Sequence, residues 1–234
     1  MQLLNFLLSA MSEADRAAFN PVLAETALAP GQVLFEQGDK VDLIYFPGSA
    51  CISLVTVMAD GKTVETSTIG RESAVALMDA MTNRPASTRI FAQIAGSAMR
   101  LPAAAFRERL RESPALLELS LLHLRANAMQ AERGVACNVA HDVHGRLARW
   151  LLMTQDRVGT DAFPLTQEYM AVMTGVQRST VSLMAAALKK AKVIDYARGM
   201  VRILDRPALL RHACECYEVV GQQFEGLRSA AQPR

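Results

Sequence analysis

Apolar residues recur along this chain at three spacings, and each spacing marks off a different kind of stretch. From Ala29 to about Pro102 they fall in short β-rich runs, PGQVLFEQGDKVDLIYFPGSACISLVTVMADGKTVETSTIG, broken at Gly and Asp-Gly. Asp60-Gly61, between SLVTVM and TVETSTI, predicts a tight hairpin. Several short strands at this interval predict a sandwich or barrel, interrupted by a short helix at RESAVALMDAM and resumed at TRIFAQIAGSAMRLP. Ahead of them, residues 1–28 predict one or two short helices, with Ser12 as a cap before EADR. From about Ala103 the period is helical, and Ser113-Pro114 supplies a cap and a first position for a long helix. There Leu117, Leu121, Leu124, Ala128, Ala131 and Val135 alternate four and three residues apart. That is a coiled-coil seam, although a single buried helix shows the same stripe. Small residues in its lower half favour close approach of a second helix. HDVHGRLARWLLM then starts another helix, carrying the one Trp at position 150.

Two further short helices lie in Thr166–Lys192. Thr166 can cap the first, with Glu168 in its positive first turn and Met170, Ala171 and Thr174 on the buried face. Gly175 supplies the turn, because a residue without a Cβ enters the left-handed region cheaply. The second helix runs from about Gln177, with Val181, Met184 and Leu188 at helical spacing. Ala171 lets the two helices cross closely and Val181 pins them together, which are the packing requirements of a helix-turn-helix. Gln177, Arg178, Ser179 and Ser182 are left on the outer face, the edge a recognition helix presents to the major groove. Lys189, Lys190 and Lys192 follow where phosphates would lie. VIDYARGMVRIL then alternates about Arg198-Gly199, a hairpin that makes the unit a winged helix.

Composition changes the picture only when it is divided. The net charge is +2, yet residues 1–140 hold 12 Lys/Arg against 14 Asp/Glu, and residues 141–206 hold 10 against 6. Positive charge therefore accompanies the helix-turn-helix, as a phosphate-binding surface needs. No apolar run approaches the length of a membrane span, so a soluble protein with no membrane partner is expected. Four scattered cysteines make no disulfide framework, and a reducing cytoplasm is the simpler reading.

A β-roll, a long dimerising helix and a winged helix-turn-helix, in that order, resemble the Crp–Fnr family of bacterial transcription regulators. PGQVLFEQGD and LTQEYMAVMTGVQRSTVSLMAAALKKAKVI carry the resemblance most specifically, and it covers roughly residues 5–206. It implies an α+β fold with an N-terminal β-roll (a jelly roll of the cupin kind), a dimerisation helix and a C-terminal winged helix. The corresponding boundaries are 1–112, 113–140 and 141–206, with a helical tail at 207–234. It also implies a homodimer on double-stranded DNA with a dyad-symmetric site, and RNA polymerase as a partner if the protein activates. By the same resemblance Thr166, Gln177 and Thr180 match phosphate-contacting positions and Arg178 matches the arginine that reads guanine. Ser179 stands where the catabolite-activator pattern has Glu, and Leu183 where it has Arg, which implies a different operator.

The sensor departs from the family pattern. Cyclic-nucleotide-binding members carry Gly-Glu at a strand end and Arg-Ser or Arg-Thr after the short helix. Here the first site reads Gly70-Arg71-Glu72 and the second Pro85-Ala86-Ser87-Thr88-Arg89, with Ala86 aligned to the phosphate arginine. A buried phosphate without a cation is costly, so cyclic AMP is not expected. Gly70, Arg71, Glu72, Ser87, Thr88 and Arg89 remain the expected effector pocket, for an unidentified ligand or none. Only Cys51 lies in the roll, which removes an iron–sulfur sensor of the Fnr kind. His123, His141, His144 and His212 fall outside the roll, which removes a haem. His212, Cys214 and Cys216 have metal-ligand chemistry, but alternate positions on one helix point apart, so no metal is expected. The expected function is therefore a homodimeric DNA-binding regulator. Its alternatives are a cyclic-nucleotide-responsive regulator or a regulatory module acting on protein partners. No enzyme is expected, since no metal triad, phosphate loop or nucleophile signature is present.

Overall fold

The structure, a computed structural model, describes residues 5–61 and 63–231. Residues 1–4, which open the expected first helix, lie outside it. Two short helices start the chain. α1 (Phe6–Ala10) is capped by Asn5 and α2 (Glu13–Phe19) by Ser12, whose side chains accept from Leu8 and Asp15 N–H groups. β1 (Ala24–Leu28) begins before the expected change of texture at Ala29. AETAL becomes a strand because β7 pairs with it, a non-local partner that short-range pattern does not reveal.

The roll continues through β2 (Val33–Phe35), β3 (Leu43–Pro47), β4 (Cys51–Val57), β5 (Thr63–Ile69), α3 (Leu77–Thr82), β6 (Arg89–Ile94) and β7 (Gly96–Pro102). Its two antiparallel sheets have strand orders β1-β7-β3 and β2-β6-β4-β5. Ile44, Phe46, Ile52, Ile90 and Leu101 fill the space between them. β4 and β5 are joined through Gly61 at φ 82, where the Asp-Gly hairpin was expected.

α4 (Ala103–Glu112) leads into α5 (Pro114–Ala140), whose 27 residues span about 40 Å. Ser113 caps α5, accepting from Leu116 N–H, and Pro114 opens it. The side of α5 turned to the protein carries Leu116, Ser120, His123, Gln130 and Cys137. Then come α6 (Val143–Val158), β8 (Ala162–Pro164), α7 (Gln167–Thr174), α8 (Arg178–Lys190), β9 (Ile194–Ala197) and β10 (Met200–Ile203). The last sheet has order β8-β10-β9. Its β9–β10 turn uses Arg198 at φ 51 and Gly199 at φ 75, the paired positive dihedrals of a type I′ hairpin.

The tail is two helices, α9 (Arg206–His212) and α10 (Cys216–Ala231), and LLRHACECYEVV is not the single helix expected. Ala213 is extended, and the Cys214 N–H is spent on the carbonyl of Gly145 in α6, which stops the ladder there. α10 then packs on α1 and α5.

Two apolar cores exchange residues across the domain boundary. The roll core takes Met153 from α6 and Val220 and Phe224 from α10. The winged-helix core takes Cys51 and Ile94 from the roll. No helix among the described residues is long and apolar enough to cross a membrane.

Candidate nucleic-acid interface and ligand cavity

Thr166 begins the interface by accepting from the Tyr169 N–H at 3.2 Å, which starts α7. Gly175, at φ 66, ends that helix, and the Val176 N–H returns to the Ala171 carbonyl at 3.2 Å. Gln177 stands at the start of α8 with its carbonyl accepting from Thr180 and Val181. Val181, Ala185 and Leu188 bury one face of α8 against Met170 and the wing. Gln177, Arg178 and Ser179 are exposed on the other face, and Thr180 and Ser182 are half-buried. The Ser182 hydroxyl donates back to the Arg178 carbonyl at 2.9 Å, so its oxygen is partly occupied by the helix. Leu183 is 67% exposed beside them. Lys189 is 50% exposed and also holds the wing. Its Nζ donates to the Tyr196 carbonyl at 2.9 Å and pairs with Asp195 at 2.8 Å, fastening the wing to α8. Lys190 and Lys192 are exposed at the same end.

The opposite side of this domain is docked on the roll. Tyr169 packs on Phe91 with ring centroids 6.2 Å apart, and Gln93 Nε2 donates to Met173 Sδ at 3.8 Å. Trp150 Nε1 donates to Glu65 Oε2 at 3.4 Å, and Ser53 Oγ donates to Glu65 Oε1 at 2.7 Å. Burial nevertheless pushes the Glu65 carboxyl up to about 7. Arg157 Nε donates to Glu72 Oε1 at 2.7 Å, with the two side chains 4% and 13% exposed. Arg157 Nη2 reaches Gln130 Oε1 at 3.0 Å, and Arg71 Nε donates to the Arg157 carbonyl at 3.0 Å. Gly70 is required by this approach, since a Cβ there would sit 2.4 Å from Arg157 Cβ and Cγ.

These contacts separate the residues expected to share an effector pocket. Gly70, Arg71 and Glu72 serve the α6 contact, and Arg71 and Glu72 border a cleft between α6 and α10. Ser87 and Thr88 line a different cavity of about 290 Å³ between the roll and α5. Arg89 pairs with Glu36 at 3.3 Å and does not line it. Most of the lining is apolar, from Leu54, Ile69, Ala74, Leu77, Ile90 and Leu124, with Asp79, His123 and Asn127 as polar members. Among the described residues lining it there is no Lys or Arg, and Ala86 is buried.

His123 was expected outside the roll, but α5 turns its imidazole into this cavity. Nε2 accepts from the Ala74 N–H at 3.1 Å, which places the ring proton on Nδ1. Ser73 Oγ is 2.7 Å from the same nitrogen and Asn127 Nδ2 3.2 Å. Nδ1 is buried with no hydrogen-bond partner among the described residues. Burial holds the imidazole neutral, with its pKa down to about 4. Burial also raises Asp79, opposed by the Ser87 N–H and hydroxyl, each 3.4 Å from Oδ2. A sequence signal for these residues exists. Leu116, Ser120, His123, Asn127 and Gln130 repeat at the same four-three spacing as the apolar seam, one residue out of phase.

Comparison with known proteins gives two domain matches. Residues 25–113 match the cyclic nucleotide-binding domain family and residues 145–212 the Crp-like helix-turn-helix domain family. Among curated proteins no match is found. A CRP-family transcriptional regulator from Thermus thermophilus superposes with a TM-score of 0.67 at 19% identity, covering 80% of this chain and 96% of that one. FixK2 from Bradyrhizobium japonicum gives 0.71 at 12% identity, over 82% and 98%. A putative cyclic nucleotide binding protein from Ruegeria pomeroyi gives 0.63 at 20% identity, over 89% and 92%. At these identities the structural likeness speaks for the fold.

Proposed function

Because this chain belongs to the Crp–Fnr family of bacterial transcription regulators, and is by that membership a DNA-binding transcription regulator, we propose that it reads a dyad-symmetric operator as a homodimer under the control of a small, largely apolar effector. The observation that carries the reading of DNA is the outer face of α8. Its first turn presents Gln177, Arg178 and Ser179 to solvent while the docked side of the domain lies against the roll.

Arg178 is placed to make a bidentate contact with the O6 and N7 acceptors of one guanine in each half-site. Leu183 offers apolar contact to a thymine methyl where a charged reader would offer hydrogen bonds. Thr166, Gln177 and Thr180 are assigned to phosphates, and Lys190 and Lys192 extend that set in place of the wing-bound Lys189. The dimer is assigned to the outward face of α5. Leu117, Leu121, Ala128, Ala131 and Val135 are exposed there and Leu124 is half-buried, with Val135 70% exposed. Two such helices in contact would set two α8 helices roughly one helical turn of DNA, about 34 Å, apart. RNA polymerase is the further partner if the bound protein activates. No catalytic step is assigned.

The effector belongs in the roll cavity, where the unpartnered Nδ1–H of His123 would donate to a ligand acceptor. With no cation in the lining, a cyclic phosphate has no counter-charge there. Calorimetry with cyclic AMP should show no heat at physiological concentrations, and micromolar binding would reassign the cavity.

The test of the DNA reading is a randomised-site selection combined with gel shifts over a salt series. Arg178→Ala should weaken the cognate site by about 1–3 kcal/mol and flatten preference at one base pair per half-site, with non-specific affinity little changed. Lys190→Ala should weaken all sequences alike and reduce the salt slope. Wild-type base preference in Arg178→Ala would show that α8 does not read sequence, and salt-insensitive complexes would favour a protein partner.

A further inference from the structure

The break between α9 and α10 turns two tail cysteines toward the end of α5. Cys137 lies in the last turn of α5, His141 is its C-cap residue, Cys214 lies in the break and Cys216 opens α10. Their three sulfurs and one imidazole nitrogen all lie within 4.8 Å of one another. Cys137 Sγ is 3.6 Å from Cys214 Sγ, and Cys216 Sγ is 3.7 Å from His141 Nδ1. A tetrahedral ion with bonds of about 2.3 Å to sulfur and about 2.0–2.1 Å to nitrogen sets its ligands roughly 3.6–3.8 Å apart. A disulfide needs sulfurs at about 2.05 Å, and the four cysteines are free. An iron–sulfur cluster takes its thiolates as terminal ligands on different irons and so spreads them farther.

Two surrounding groups complete a metal environment. His141 Nε2 is 2.9 Å from Glu215 Oε2. With that nitrogen protonated and donating to the carboxylate, Nδ1 presents its lone pair to the cysteines, the second shell that metal-bound histidines carry. The Arg149 guanidinium lies near the Cys137 and Cys216 sulfurs, and its Nε has no hydrogen-bond partner among the described residues. Three thiolates, a neutral imidazole and a divalent ion sum to one negative charge, which this guanidinium offsets. His212, although part of the sequence motif, faces His144 at 3.0 Å and is outside the set.

We propose that Cys137, His141, Cys214 and Cys216 form a closed tetrahedral site for one zinc-type divalent ion, which pins the tail and the hinge before α6 to the end of α5. On loading, each sulfur–metal bond replaces a sulfur–hydrogen bond, so one ion displaces up to three protons to solvent, with no change of oxidation state. Cys137 and Cys216 are fully buried and all four positions are filled by the protein, as in a structural site, not a catalytic one.

The test uses untagged full-length protein, purified with reductant and without chelator. Elemental analysis should find about one zinc per chain. Stripped, reduced protein titrated with cobalt(II) should develop the visible bands of tetrahedral cobalt and a thiolate-to-cobalt charge-transfer band, both saturating at one equivalent and both abolished by zinc. Cys214→Ser should lower the charge-transfer intensity by about a third. Glu215→Gln, at an exposed side chain, should keep the bands but weaken zinc affinity about 10–100-fold. Cys51→Ser should match wild type. Absent cobalt bands, native iron with acid-labile sulfide, or equal loss in Cys51→Ser would overturn the assignment.

Discussion

The surroundings of His123 make stability respond to pH. In the folded protein its imidazole stays neutral down to about 4, while an exposed histidine titrates near 6.5. The unfolded chain therefore binds the extra proton first as pH falls between those values. The stability that His123 contributes is complete above about 6.5 and lost toward 4. Urea denaturation of wild type and His123→Gln at pH 7 and pH 4.5 should show the steeper loss in wild type. Gln can still accept from the Ala74 N–H, so equal slopes would mean that His123 is not the responsible group. Glu65 acts with the opposite sign. Its carboxyl, raised to about 7, is protonated more readily when folded, so its contribution is present below about 4.5 and lost as pH rises through 7. Glu65→Gln should gain on the order of 1 kcal/mol over wild type at pH 8, measured by the same denaturation.

α5 is the element on which two faces with different tasks are written. Its inward stripe reaches the roll cavity through His123 and Asn127 and the α6 contact through Gln130. Its outward stripe leaves Leu117, Leu121 and Val135 exposed in one chain, at 41%, 55% and 70%. Leu121→Glu would place two like charges at the proposed two-fold seam, costing several kcal/mol of association. Sedimentation should then report a monomer, and operator affinity should fall with it. A dimeric Leu121→Glu protein would put the interface on another element.

At the scale of the whole molecule, the winged helix and the roll hold each other through apolar residues exchanged between their cores and through a buried polar contact. Arg157 and Glu72 form a nearly buried pair, and Gly70 lets the Arg157 stem pass. Gly70→Ala would press a methyl into that stem at 2.4 Å and should destabilise the protein by about 1–3 kcal/mol. Trp150, the one tryptophan, donates to Glu65 across the same contact, so its fluorescence reports undocking directly. Fluorescence-detected unfolding should show a lowered midpoint for Gly70→Ala. An unchanged midpoint would mean that the domains are held elsewhere.

What could be read from the chain alone was whatever depends on neighbours a few residues away. Gly175 and Arg198-Gly199 announced their turns through the positive φ that those turns demand, and Ser12, Ser113 and Thr166 announced the helices they cap. The alternating runs of the roll and the outward stripe of α5 follow from periods of two and three and a half residues. Tertiary structure decided what depends on residues far apart in sequence. β1 is a strand because β7 is beside it. Gly70, Arg71 and Glu72 stand where the family pattern has Gly-Glu, yet α6 claims them for a domain contact and leaves the cavity to Ser87, Thr88 and His123. Helical periodicity sends Cys214 and Cys216 in different directions. The chain leaves the helix at Ala213, the Cys214 N–H turns to the Gly145 carbonyl, and the sulfurs come together with Cys137, 77 positions away from Cys214.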